Sequence, residues 1–215
     1  MLIDKMAADG VDHLAMEASS HGLDQYRLDG ARVTAAAFTN LTRDHLDYHR
    51  DAEAYLYAKL RLFGEVMAPG GIAILNADDP AFVDFEDICW ARGHRIISVG
   101  GKGADLCLVE SQPGVDGQRL QVEWQGQRYS VDLPLIGDFQ ATNALVAAAL
   151  ALATGSEPGQ VFEALGQLEG PRGRMQLVAR LPSGARVFVD YAHTPDALER
   201  LLKALKPYAH GRLAV

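Results

Sequence analysis

The residues with the most chemistry to offer lie between Thr39 and Phe63, in TNLTRDHLDYHRDAEAYLYAKLRLF. His45 and His49 are four apart, Asp44 and Asp47 stand among them, and Lys59 falls inside an apolar helix face. A third imidazole, His21, lies upstream in the polar turn Ser19-Ser20-His21-Gly22. Imidazoles and carboxylates at this density can hold a divalent cation, move protons, or fix a polar loop through hydrogen bonds. His45 and His49 have the spacing of two zinc ligands on a helix. No third Cys or His follows at usable spacing, so zinc is rejected. Asp44, Asp47 and His49 read as loop-fixing groups. A loop of this composition, between a buried strand and a helix, is where α/β proteins place catalysis, at the carboxyl ends of the strands.

Such a loop needs a strand before it and a helix after it. Val33–Phe38 is a nearly unbroken apolar run of the kind buried on both faces of a parallel sheet. Asp51–Met67 carries Ala54, Ala58, Leu62 and Val66 on one helical face until Pro69-Gly70-Gly71 stops it. Further elements supply a scaffold. Residues 1–9 end a helix closed by Gly10, and Val11–Ala18 reads as a short buried strand. Gly71–Asn76 and Arg95–Val99 are buried strands, with a helix between them that Asp78-Asp79-Pro80 should open, a carboxylate as cap. Leu106–Glu110, Arg119–Trp124 and Arg128–Leu135 alternate in period two around turn residues, which predicts an antiparallel meander. Asp138–Thr154 is an Ala- and Leu-rich helix ended by Gly155, and Pro158–Leu168 is another. After the glycine-rich Gly170–Met175 the chain restarts with strands Gln176–Leu181 and Arg186–Asp190, a helix Thr194–Lys206, and an apolar strand beginning at Arg212. The alternation of β and α elements, the antiparallel insert and the restart predict one α/β domain and the opening of a second.

Composition narrows the partners. With 215 residues and 48% hydrophobic content the chain can bury a substantial core. A net charge of −8 argues against nucleic acid, whose phosphates need a basic footprint. Cys89 and Cys107 stand singly, as core residues of a reduced compartment do. The chain opens with a mixed helical segment, not a signal peptide, and no apolar run reaches the ~18 residues a membrane span requires. A soluble, cytoplasmic protein without a membrane partner is expected.

In one order the chain carries MEASSHGLDQYRL (Met16–Leu28), FTNLTRDHLDYH (Phe38–His49), YAKLRLF (Tyr57–Phe63), LNADDP (Leu75–Pro80), GRM (Gly173–Met175) and DYAHTPDAL (Asp190–Leu198). Together they resemble the Mur ligases of peptidoglycan synthesis. SSHGL and DYAHTPD resemble the branch that adds a third amino acid to UDP-N-acetylmuramoyl-L-alanyl-D-glutamate; DHLDYH and the lysine after it are shared across the superfamily. The resemblance implies a P-loop-NTPase-like central domain over 1–170, mostly parallel sheet flanked by helices with a small antiparallel insert. It also implies the start of a Rossmann-like C-terminal domain over 171–215. No G-x-x-G-K-[ST] phosphate loop occurs in the chain. The expectation is therefore an interior fragment, inactive alone, of an enzyme that is a monomer at full length.

The family's reaction, by resemblance, phosphorylates the substrate carboxylate with ATP and lets an amine attack the acyl phosphate. Positioning and charge neutralisation dominate such chemistry, and magnesium supplies the latter. Glu17 and His45 resemble the family's metal ligands. A capping glutamate and a satisfied loop histidine are the alternatives. Lys59 resembles the lysine that the family carbamylates with carbon dioxide, which turns a repelled ammonium into an anionic ligand; otherwise it is a lysine reaching to solvent. Ser19, Gln25 and Arg27 match positions that contact the UDP-sugar peptide, and His21 could orient their turn. Asn143 matches an asparagine near adenine, and Arg174, Asp190, Tyr191 and His193 match positions lining the nucleotide. The alternatives are an Asn serving a helix end and a strand-end Asp capping the next helix. The implied partners are ATP, the UDP-N-acetylmuramoyl dipeptide, and meso-diaminopimelate, with lysine second. Another ligase of the superfamily, such as folylpolyglutamate synthetase, or a non-catalytic nucleotide-binding module, are the competing readings.

Overall fold

The computed structural model describes residues 2–41, 48–101, 103–209 and 211–215. After two short helices, α1 (Leu2–Ala8) and α2 (Ser20–Asp24), the chain enters strand β1 (Val33–Phe38). Helix α3 (Ala52–Arg61) returns it to β2 (Met67–Asn76), and α4 (Phe82–Ala91) leads to β3 (Arg95–Gly100). The meander β4 (Leu106–Pro113), β5 (Gln118–Trp124) and β6 (Gln127–Leu133) follows, then α5 (Asp138–Ala153) and α6 (Pro158–Leu165). These strands form one six-stranded sheet in sequence order. β1 to β4 pair in parallel, while β4, β5 and β6 pair antiparallel. The expected α/β architecture is present, and the predicted insert extends the same sheet.

Burial on both faces explains why β1 to β3 read as unbroken apolar runs. Successive residues of β2 point opposite ways. Ala73 and Leu75 pack with Phe38, Phe63, Phe85 and Cys89 beneath α3 and α4. Ile74 joins Ile97, Val99 and the alanine-rich face of α5 on the other side. The antiparallel strands alternate instead: Leu120, Val122, Val131 and Leu133 face α5 and α6.

A second, two-stranded antiparallel sheet pairs β7 (Gln176–Arg180) with β8 (Arg186–Val189), followed by α7 (Pro195–Leu205). Thr194 caps α7 by accepting from the Ala197 N–H at 3.3 Å. A third cluster of Ile136, Met175, Leu205 and Tyr208 joins this unit to the chain leaving β6. Gly137 permits that approach: its φ is 102°, and a Cβ there would meet the Ala204 Cβ at 3.0 Å.

Four expectations fail. Residues 11–18 form no strand, and Val11, Leu14 and Met16 are 42 to 47% exposed. β1 ladders with β2 alone, and an apolar run without a ladder partner is not a strand. Residues 212–215 form no strand for the same reason. The helix predicted over 51–67 ends at Arg61 and widens into a π-turn, Leu62–Val66, after which Met67 already belongs to β2. Both Leu62 and Phe63 are buried, and Gly64 lies so near α4 that a Cβ would sit 3.3 Å from Ile88 Cγ1. Pro69-Gly70-Gly71 then bulges out of β2, between the pairs Val33 with Met67 and Ala35 with Ile72. Finally, α4 starts at Phe82 without a side-chain cap, because the carboxylates of Asp78 and Asp79 are used elsewhere.

Candidate functional site

Two polar segments meet beyond the carboxyl end of β1. The first is the turn from Ser19 to Asp29. Ser19 Oγ accepts from the Gly22 N–H at 3.1 Å and so caps α2. Arg27 donates to Gln25 Oε1 at 2.6 Å, and Gln25 Nε2 donates to the Tyr48 hydroxyl at 3.1 Å. That hydroxyl donates to Asp24 Oδ2 at 2.9 Å. Tyr48 thus fastens the turn to the polar loop after β1. The three residues matched to substrate contacts, Ser19, Gln25 and Arg27, lie on one turn. The amide of Gln25 and the guanidinium of Arg27 touch.

From this turn a file of rings leads to Lys59. The His21 ring lies 3.9 Å from that of Tyr48 and 5.5 Å from that of His49, centroid to centroid. His49, only 4% exposed, sits 5.3 Å from Tyr55. The Lys59 ammonium is 5.0 Å from the Tyr55 ring centre, within cation–π range. Lys59 is half-buried. Tyr55 and Lys59 are one helical turn apart on α3, whose first turn is capped by Asp51 Oδ1 accepting from Ala54 N–H at 2.8 Å.

The loop after β1 is held from the side of β2. Asn76 Nδ2 donates to the Thr39 carbonyl at 2.6 Å, and Asp79 Oδ2 accepts from the Leu41 N–H at 3.0 Å. Asn76 Oδ1 accepts from Asp78 N–H, and Asp79 Oδ1 from Ala81 N–H. The LNADDP motif is therefore a bracket for that loop, not a helix start. Asp44, His45 and Asp47 lie outside the described residues, between the bracketed Leu41 and the ring cluster at Tyr48.

Arg61 closes the site from below. It donates to the Leu23 carbonyl and, through one nitrogen, to both Asp29 oxygens at 2.9 and 3.0 Å. Its guanidinium stacks 3.9 Å from the Tyr26 ring centre and pairs with Glu65 at 2.7 Å. Burial works against this charge, but Asp29 and Glu65 outweigh it and hold the guanidinium above its ordinary pKa.

A second group forms at the junction of the two sheets. The Arg174 guanidinium is 5.3 Å from the Tyr191 ring centre, Tyr191 and His193 meet edge to face at 4.9 Å, and His193 Nδ1 contacts the Tyr191 carbonyl at 2.9 Å. Asp190 accepts from Met175 N–H and Ala192 N–H, each at 2.7 Å. It does not cap α7, which is the task of Thr194. Instead it holds Met175, whose φ is 49°, against the end of β8. Arg174 also lines a cavity of about 270 Å³ with Leu135, Gln140, Glu169 and Phe188.

Two matched residues are not drawn into either group. Glu17 is exposed two residues before the Ser19 cap, and Asn143 is exposed on α5; no hydrogen bond among the described residues joins them to the others. Among the described residues no three Asp, Glu, His or Cys side chains gather as a metal cluster. Sequence reasoning gave no site role to Tyr48, Tyr55, Arg61 or Asn76, and read Asp79 only as a helix cap. The i, i+4 spacing of Tyr55 and Lys59 was the one legible signal among them.

A mainly parallel sheet covered on both faces, with polar residues collected past the strand ends, defines an α/β domain. Residues 1–151 match the Mur ligase middle domain, and residues 173–215 match the Mur ligase, glutamate ligase domain. The chain belongs to the Mur ligase family. It is 54% identical over 217 residues to the UDP-N-acetylmuramoyl-L-alanyl-D-glutamate–2,6-diaminopimelate ligase of Bradyrhizobium diazoefficiens, covering 99% of this chain and 44% of that protein. It is 50% identical over 212 residues to the like-named ligase of Caulobacter vibrioides, covering 99% and 44%. A solved structure of a ligase with this name superposes with a TM-score of 0.75 at 34% identity, covering 88% of this chain and 39% of that one. A Mycobacterium tuberculosis folylpolyglutamate synthase shares the fold, with a TM-score of 0.69 at 24% identity over 83% and 40%. The chain thus spans less than half the length of the curated relatives it matches. No helix among the described residues is long and apolar enough to cross a membrane.

Proposed function

We propose that this chain forms part of an ATP-dependent amide-bond ligase of peptidoglycan precursor synthesis. It would join meso-2,6-diaminopimelate to UDP-N-acetylmuramoyl-L-alanyl-D-glutamate through an acyl phosphate. The observation that carries the reading is the continuous contact from Arg27 and Gln25, through Tyr48, His49 and Tyr55, to Lys59. A guanidinium and an amide suited to a carboxylate- and phosphate-bearing substrate are thereby tied to the lysine that the family's chemistry needs. Similarity to ligases named for this substrate and for diaminopimelate supports it.

Within this reading residues 1–170 are the ATPase domain and 171–215 open the C-terminal domain. Ser19, Gln25 and Arg27 bind the UDP-sugar peptide, and His21, stacked on Tyr48, orients their turn. Arg174, Tyr191 and His193 offer a cation and ring faces to the nucleotide, Asp190 keeps a carboxylate at the strand end beside them, and Asn143 would serve adenine. Magnesium fits the donor types on offer, hard carboxylate oxygens and one imidazole: Glu17, exposed and solvent-facing, would hold it with His45 and a carbamate on Lys59. When bound it neutralises phosphate charge. Carbamylation would exchange the Lys59 cation–π contact for a carbamate, one negative charge shared by two oxygens. The 215-residue chain alone is expected to be inactive, and the whole enzyme a cytoplasmic monomer without nucleic-acid or membrane partners.

A graft tests this. The 215 residues replace the matching segment of the Bradyrhizobium ligase, and ADP release is followed with the UDP-dipeptide and diaminopimelate. Activity that requires both, with diaminopimelate preferred to lysine, is expected. A folded graft that releases no ADP with either amino acid would overturn the reading.

A further inference from the structure

Arg61 lies two residues beyond Lys59, and every partner it has on α2 and the chain after it belongs to the turn carrying Gln25 and Arg27. The side chain is 12% exposed. Its contacts are the Leu23 carbonyl just before Gln25, the face of Tyr26 between Gln25 and Arg27, and the Asp29 carboxylate just after them. Tyr26 has a φ of 58°, a left-handed conformation that is unfavourable for a residue with a Cβ. Because Tyr26 separates Gln25 from Arg27, its backbone sets the direction in which those two side chains leave the turn.

We propose that Arg61 is a positioning residue for the UDP-sugar peptide: it holds Tyr26 in its left-handed conformation and fixes Gln25 and Arg27 relative to the helix that bears Lys59. The proposal rests on the function proposed above. Two features favour a positioning role over simple bracing. The outer partners, Asp29 and Glu65, are 47% and 60% exposed, and ion pairs that open to water add little to global stability. The guanidinium is also shared among a carbonyl, a carboxylate and a ring, a division that a planar fork can serve and a lysine ammonium cannot. Its consequence is geometric. The turn keeps one register against α3, and the ordering of Gln25 and Arg27 is complete before substrate arrives.

Arg61→Lys and Asp29→Ala in the active graft separate the possibilities. Losing the fork is expected to raise the KM and the directly measured Kd for the UDP-dipeptide about tenfold, while the KM for ATP and kcat stay within about twofold. Asp29→Ala should shift the same two constants about threefold, and the double variant should be no worse than Arg61→Lys, since both remove one arrangement. Equal changes in all three KM values, or a loss of kcat that follows a fall in melting temperature, would make Arg61 only a structural brace and overturn the proposal. A parent graft that binds the UDP-dipeptide but does not turn over would sink the reaction while the Kd comparison still decides Arg61. A parent that does not bind it sinks both.

Discussion

Removing the Asn76 carboxamide should loosen the loop that carries the densest polar residues of the chain. Asn76 is 7% exposed and makes two bonds: its Nδ2 to the Thr39 carbonyl at 2.6 Å and its Oδ1 from the Asp78 N–H at 3.1 Å. Each bond contributes about 1 kcal/mol net, and a part-buried carbonyl left without its donor adds about another, so Asn76→Ala should cost about 2 to 3 kcal/mol. Asn76→Asp is the sharper variant. It keeps shape and the bond from Asp78, but sets a carboxylate oxygen against the Thr39 carbonyl. The ionised form is disfavoured in the fold, so the folded pKa rises above the unfolded value of about 3.9. A group shifted this way gives its stability below the unfolded pKa and loses it as pH climbs through the folded one. Relative to the parent, Asn76→Asp should therefore be least harmful near pH 4 and worst at neutrality. Urea unfolding of the chain at several pH values measures both variants. A change below about 0.5 kcal/mol for Asn76→Ala, or an Asn76→Asp penalty that does not vary with pH, would refute the bracket.

Lys59→Ala in the active graft should slow turnover roughly a hundredfold or more, because the proposed phosphoryl-transfer centre would lose a charged group; formate or acetate should restore part of the rate, and an unslowed variant would remove the carbamate. Tyr48→Phe leaves the stacking on His21 but frees Gln25 Nε2 and Asp24. At an exposed site it should change stability by less than about 0.5 kcal/mol, yet raise the UDP-dipeptide KM about threefold; an unchanged KM would count against Tyr48 as the fastening point. Burial, with Glu86 adding to it, pushes the Cys89 thiol from 9.0 up to about 12. It should resist alkylation of the native chain at pH 8 and react only on unfolding, and its contribution to stability should be lost between about pH 9 and 12, as the unfolded thiol ionises first. Mass spectrometry after brief iodoacetamide treatment checks it.

The strands β1 to β3, the meander and the long helix α5 were legible because their information is local: apolar runs, period-two alternation and turn residues fall within a few positions of each other. So was the polar loop after β1 and the motifs SSHGL, DHLDYH and DYAHTPD. Two apolar segments, 11–18 and 212–215, were misread as strands, since pairing depends on a neighbour that local pattern does not reveal. The carboxylates of LNADDP looked like caps for the next helix, whereas distance in sequence hid their partners Leu41 and Gly101, and hid the Thr39 carbonyl from the Asn76 carboxamide.

Residue types in order were enough to define the family's chemistry and the residues that could bear it, because reactive groups and their short motifs are properties of the chain itself. Which of them touch was settled only when β1 and β2 lay side by side and α2 came to rest on α3. That packing turned Tyr48, Tyr55 and Arg61, to which the sequence assigned no role, into the link between the turn of Gln25 and Arg27 and Lys59. Contacts across tens of residues follow from how the apolar faces bury together, and no local spacing encodes them.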